Sequence, residues 1–253
     1  ALRRCTDVDL YTTPGLQGIP YFRAHLMTPG FSDTFNISDC GRGMYYFNHY
    51  LFRLAAEYKD PAAQALVKAA YDVDPGSFSY YPWCILWYDA DLAQTPLAEI
   101  TRWRYFEDLE LATYRTSWTD PEALAVLLKC GPYGGHRLNE LAKGWVNVAH
   151  DHPDANHFML WWQGQMWAKD DGYPKQTKAG ENHNIILVDG KGPTQRGTGW
   201  LQPIANMGSM GKLEKVASQE GLFWALGDAS AYYPGMKTMR RWLAVVQDRY
   251  VVV

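Results

Sequence analysis

Apolar positions in the first hundred or so residues recur at helical spacing, and those of the remainder alternate at strand spacing. After an opening punctuated by Pro14-Gly15, Pro20 and Pro29-Gly30, the stretch 45–58 sets Tyr46, Tyr50, Leu51, Leu54 and Tyr58 near one face of a helix. Asp60-Pro61 reads as an N-cap followed by a proline in the first turn, which predicts a second helix over 62–71 and hence a helical hairpin. Asp74-Pro75-Gly76 ends that helix, and Pro96 to Glu99 predicts one more short one. From Leu111 onward the stretches 111–118, 125–130, 158–162, 165–169, 184–188, 213–218, 222–226 and 242–246 are short apolar or alternating runs separated by Gly, Pro, Asp or Asn. Many short strands with close turns predict antiparallel sheets. The fold class expected is therefore α+β, with a helical region over 1–110 and an antiparallel β-sandwich over 111–253. Arg249-Tyr250-Val251-Val252-Val253 is β-prone without a following turn, which predicts a strand cut short, and the start at Ala1 shows no leader pattern.

Composition narrows the function. With 253 residues, 47% hydrophobic and 20% charged, the chain can bury a large core and is not disordered. Lys plus Arg number 24 against 27 Asp plus Glu, a net charge of −3 with no basic run, which argues against nucleic acid as a partner. No apolar run approaches the roughly 20 residues a bilayer requires, which argues against a membrane-spanning helix. Eleven Trp and 17 Tyr suit stacking on sugar rings, although core packing accounts for most of them. The four cysteines are widely spaced and form no Cys-x-x-Cys pair, so they point neither to a zinc knuckle nor to a redox motif.

Histidines carry the chemistry. Five of the seven, His136, His150, His152, His157 and His183, crowd into residues 136–183. Gln163-Gly164 lies between two β-prone runs as in a tight hairpin, which would lay the start of the first strand beside the end of the second and bring His152 within reach of Asp170. His183, just before the apolar run Ile185-Ile186-Leu187-Val188, reaches the same edge if that run joins the sheet. Two imidazoles and a carboxylate suit Zn2+ with an open fourth position. Ordinary loop histidines are the competing explanation, Asp154 is an alternative ligand to Asp170, and Asp171 has compatible spacing. In extended backbone His150 and His152 point to opposite sides, so one can face a metal and the other a groove, where it serves as proton carrier. Tyr173 sits at the same rim as a candidate proton donor or sugar contact.

In order, Tyr114-Arg115-Thr116-Ser117-Trp118, Cys130-Gly131-Pro132, the run from His150 to Phe158, Asp170-Asp171-Gly172-Tyr173 and the run from His183 to Gly190 resemble the heparinase II/III-like polysaccharide lyases, a group that includes alginate lyases and dermatan sulfate epimerases. The resemblance covers residue 30 to the end. It implies the C-terminal part of an α/α toroid followed by an antiparallel β-sandwich. The implied activity is β-elimination next to a uronic acid, with His150 and Tyr173 catalytic, Arg115 holding a substrate carboxylate through its two-pronged donor geometry, and His152, Asp170 and His183 binding Zn2+, or Mn2+ or Ca2+ in its place. An ion pair inside the fold is an equal alternative for Arg115. The family's main catalytic tyrosine belongs to toroid helices that would precede Ala1, so a fragment is expected, completed by the remaining parts of the same protein or by a homo-oligomer. The mildly acidic balance favours an unsulfated uronate polymer such as alginate over sulfated glycosaminoglycans. The implied location is periplasmic or secreted. The other readings are a uronate epimerase, a cupin-like metalloenzyme, which lacks its usual Glu here, and a noncatalytic carbohydrate-binding sandwich with a structural zinc.

Overall fold

Asp60 starts the longest helix as its sequence predicts, with its carboxylate accepting the Ala63 N–H at 2.9 Å and the Tyr21 hydroxyl at 2.8 Å, so that one side chain both caps a helix and ties it to an earlier one. The computed structural model describes residues 5–40, 49–77, 81–142, 144–146, 149–170, 178–193, 202–203 and 211–253. Among the described residues, four helices form the first layer: α1 (Ile19–Leu26), α2 (Tyr50–Glu57), α3 (Pro61–Val73) and α4 (Tyr81–Trp87). Leu51, Phe52, Leu66 and Val67 bury their apolar faces in one cluster, which Trp118 closes from the sheet side. Residues 45–48 of the first expected helix lie outside the described residues.

The strands are β1 (Trp103–Phe106), β2 (Leu111–Arg115), β3 (Ala125–Lys129), β4 (Trp145–Val146), β5 (His157–Trp162), β6 (Gln165–Ala168), β7 (Gln202–Pro203), β8 (Lys212–Gln219), β9 (Leu222–Asp228), β10 (Arg240–Val246) and β11 (Tyr250–Val252), with a short helix α5 (His136–Leu141) between β3 and β4. They pair antiparallel into a five-stranded sheet in the order β1-β2-β3-β5-β6, a four-stranded sheet in the order β11-β10-β9-β8, and the small β4-β7 pair. The five-stranded sheet is the middle layer. Leu111, Ala125, Leu127, Met159 and Trp161 face the helical side with Leu26 and Phe35, while Ala112, Tyr114, Val126 and Leu128 meet Phe223, Ala225, Leu243 and Val245 of the second sheet. Coverage on both faces explains why β3 reads as an unbroken Ala-Val-Leu-Leu run rather than an alternating one.

Two expectations need correction. Strand structure begins at Trp103, within the region expected to be helical up to residue 110. The run 184–188 is not a strand: a turn at Gly180–Asn182 leads into it, and Val188 makes only an isolated bridge with Lys191. Side chains occupy the positions a ladder would need, with Arg241 donating to the Asn184 carbonyl and the Tyr233 hydroxyl donating to that of Ile186.

Candidate functional site

The β5–β6 hairpin turns at Gln163-Gly164, both with positive φ (51° and 73°), the two-residue geometry that matches strand twist. Turning there places His157, the first residue of β5, beside Asp170, just past β6. The His157 Nε2 lies 3.2 Å from Asp170 Oδ2, and His183 Nδ1 lies 2.9 Å from the same oxygen. All three side chains are buried, and their ligand-type atoms lie within 4.8 Å of one another. Burial pushes His157 down to about 4, against the opposing pull of Asp170 and Asp154. Behind them Lys129, the cross-strand partner of His157, makes a buried ion pair with Asp154; burial raises the Asp154 carboxyl, but Lys129, His183 and His157 together bring it below its ordinary value.

A second group adjoins the first. Asp39, from the loop after the first helix, divides its carboxylate between two rings: Oδ2 lies 2.7 Å from His150 Nδ1 and Oδ1 lies 2.6 Å from His152 Nε2. Lys178 Nζ is 3.6 Å from Oδ1. Burial works to raise Asp39, and the hydrogen bonds from His152 and His150 outweigh it and lower the carboxyl. The His150 side chain is 69% exposed, whereas that of His152 is buried, with its ring 5.1 Å from that of His183. A cleft of about 1260 Å³ in the helical layer, lined by Tyr11, Arg53 and Trp87 among others, includes none of these residues.

Residues 101–253 match the family described as Heparinase II/III-like, C-terminal. The chain belongs to that heparinase II/III-like family. Among solved structures it is similar to a heparinase III, at a TM-score of 0.62 and 14% identity over 97% of this chain and 34% of that one. It is also similar to a heparan sulfate lyase from Pedobacter heparinus, at 0.56 and 15% identity over 90% of this chain and 30% of that one. At these identities the likeness concerns the fold, and it places the helices and two sheets as the end of a toroid and the sandwich after it. The chain spans about a third of the length of those structures. No curated protein matches it.

Within this heparinase-like sandwich the residues expected to act together divide into two adjoining groups. Asp170 and His183 are in contact, and the third member of the tight cluster is His157 rather than His152, because β5 begins at His157 while His152 lies on the preceding loop against Asp39. Hydrogen-bond partners assign the ring protons. The Asn184 N–H donates to His157 Nδ1 at 3.0 Å, which engages that ring's lone pair and puts its proton on Nε2, toward Asp170. In His183 the proton belongs on Nδ1, which faces Asp170, and Nε2 is buried with no hydrogen-bond partner among the described residues. Asp39 likewise places the His152 proton on Nε2 and its lone pair on Nδ1.

Arg115 is not a substrate arginine. It is fully buried, with Nη2 donating to the carbonyls of His25 at 2.8 Å and Met27 at 2.9 Å at the end of α1 and the guanidinium 4.0 Å above the Trp118 ring, so no polymer carboxylate reaches it. Tyr173 and Asp171 lie outside the described residues. Asp39, which the sequence reading missed, carries no local signal, since its partner His150 is 111 positions away.

Proposed function

We propose that this chain supplies the sheet side of a polysaccharide lyase centre that cleaves next to a uronic acid by β-elimination, with a zinc ion held beside it. In that reaction the C5–H bond breaks, its electron pair forms the C4=C5 double bond, the C4–O4 bond breaks, and the departing O4 takes a proton. The observation that carries the reading is the Asp39–His150 pair, exposed at one edge of a buried His and Asp cluster in a member of this family. Asp39 holds the proton of His150 on Nδ1, so Nε2 presents its lone pair on the exposed ring and can move a proton at C5 or O4. Tyr173 remains the candidate partner hydroxyl.

The residues present fit a dication. The imidazoles of His152 and His183 and the carboxylate of Asp170 make the mixed N and O set that zinc accepts, with the Asp170–His183 hydrogen bond at Nδ1 giving way to coordination when the ion is bound. His157 supports this set by facing Asp170. When bound, the ion supplies positive charge against the buried carboxylate and joins the loops that carry His152 and His183.

The net charge of −3 favours an unsulfated uronate polymer such as alginate, and the similar structures named heparinase III and heparan sulfate lyase make heparan sulfate the second reading. A polymer of this kind places the protein in the periplasm or outside the cell. The test is ultraviolet absorbance of the unsaturated uronate product with alginate, heparan sulfate, dermatan sulfate and hyaluronan. Product from at least one polymer, lost in His150→Ala, supports the reading. Product formed at an undiminished rate by His150→Ala overturns it.

A further inference from the structure

We infer that Asn184 and Arg241 are the positioning residues of the centre, an inference that rests on the metal-site reading above. Asn184 follows His183 directly in the chain. Its N–H donates to His157 Nδ1 at 3.0 Å, and its side-chain Nδ2 donates to the carbonyls of Phe158 at 3.0 Å and Lys169 at 2.9 Å. Phe158 follows His157 and Lys169 precedes Asp170. One amide, with both of its hydrogens used, thus fixes the backbone beside two members of the cluster while its own chain neighbour is the third.

Arg241 approaches from the other sheet, on β10. Its Nη1 donates to the carbonyls of both Asn156 and Asn184, the residues next to His157 and His183, and its guanidinium lies 5.1 Å from the centre of the Phe158 ring. Asn156 is held at a φ of 63°, in the left-handed region that asparagine adopts more readily than most residues other than glycine, and so turns its carbonyl away from the β5 ladder. The separation of the two imidazoles is therefore set by a guanidinium anchored in the second sheet. Because the 184–188 run makes no strand ladder, its placement depends on these side-chain bonds, and the bonds of Asn184 and Arg241 end beside His157, Asp170 or His183.

Partners that orient ligands typically alter metal affinity by 10- to 100-fold without being ligands themselves. The test uses the whole chain and Co2+, whose visible absorption reports coordination geometry, in the wild type, Asn184→Ala, Arg241→Lys and the core control Leu243→Ala. Arg241→Lys keeps the charge and loses the planar fork. Expected are at least about ten-fold weaker Co2+ binding and a changed spectrum in Asn184→Ala and Arg241→Lys. Leu243→Ala, on the same strand as Arg241, is expected to lower the melting temperature and leave affinity and spectrum as in the wild type. Wild-type affinity and spectrum in both site variants overturn the positioning role. An equal loss of affinity in Leu243→Ala also overturns it, by reducing it to general stability. If the wild type binds neither Co2+ nor Zn2+, the metal-site reading itself fails, and this inference with it. If one variant does not fold, the other carries the comparison alone.

Discussion

Asp39 and His150 are bonded twice: the Asp39 N–H donates to the His150 carbonyl at 3.2 Å, and the His150 ring donates from Nδ1 to the Asp39 carboxylate at 2.7 Å. Backbone and side chain together fix the ring's position and its tautomer, as an aspartate does for a catalytic histidine. Asp39→Ala therefore frees the ring and lets the proton settle on either nitrogen. The expected result is a fall in kcat of about 100-fold with a smaller change in KM, since positioned proton transfer contributes roughly 10²- to 10⁴-fold. Steady-state kinetics on whichever polymer is cleaved would check this, and an unchanged kcat would remove Asp39 from the mechanism.

Arg115 acts on stability. Arg115→Met keeps the apolar stem against Trp118 but removes the donors to the His25 and Met27 carbonyls and the charge above the indole. Lost bonds of this kind cost about 1–3 kcal/mol, because the carbonyls stay buried without a donor. Urea unfolding is expected to show a lower midpoint with an unchanged slope. A variant with wild-type stability and a raised KM would restore Arg115 to substrate binding.

Much of this architecture was legible in the sequence, and the failures have physical causes. Asp60-Pro61, Gln163-Gly164 and the apolar runs of β2, β3, β9 and β10 state local preferences that tertiary contacts reinforce. Ile185-Ile186-Leu187-Val188 states one just as strongly, yet Tyr233 takes the Ile186 carbonyl, Arg241 takes that of Asn184 just before the run, and Ile186 and Val188 pack against the core without a ladder. Arg115 resembles a ligand-binding arginine in sequence, and only its burial against α1 shows otherwise. The pairing of Asp39 with His150 and His152 joins distant segments and leaves no periodic trace.

Stability also depends on a histidine remote from the centre. His25 is buried at the α1–sheet joint, with Nδ1 2.8 Å from the Thr113 hydroxyl, and burial, followed by Arg115 and Arg104, holds its pKa well below 6.5. The folded state keeps this ring neutral while the unfolded chain protonates it near 6.5, so the unfolded state binds more protons below that pH. The contribution is present above pH 6.5 and is lost as the pH falls through and below it, by at most about 1.4 kcal/mol per pH unit. His25→Gln is expected to flatten the acid side of a plot of unfolding free energy against pH. An unaltered slope would show that His25 does not carry it.

The two buried histidines flanking His183 separate by the position of their lone pairs. His152, with its lone pair on Nδ1 and its ring 5.1 Å from that of His183, is the proposed ligand, whereas His157, whose Nδ1 is engaged by the Asn184 N–H, supports Asp170 from outside the ligand set. Removing a ligand should abolish stoichiometric Zn2+ binding, while removing an orienting partner should weaken it by roughly 10- to 100-fold. His152→Ala is accordingly expected to lose the metal in dialysis and to lose the drop in melting temperature that a chelator causes in the wild type, because binding free energy contributes to folding. His157→Gln is expected to retain the metal at raised zinc concentration and to remain sensitive to chelator. The opposite pattern, with His157→Gln losing the ion and His152→Ala keeping it, would make the tight trio of His157, Asp170 and His183 the ligand set and would require the Asn184 N–H to yield the His157 lone pair when the ion binds.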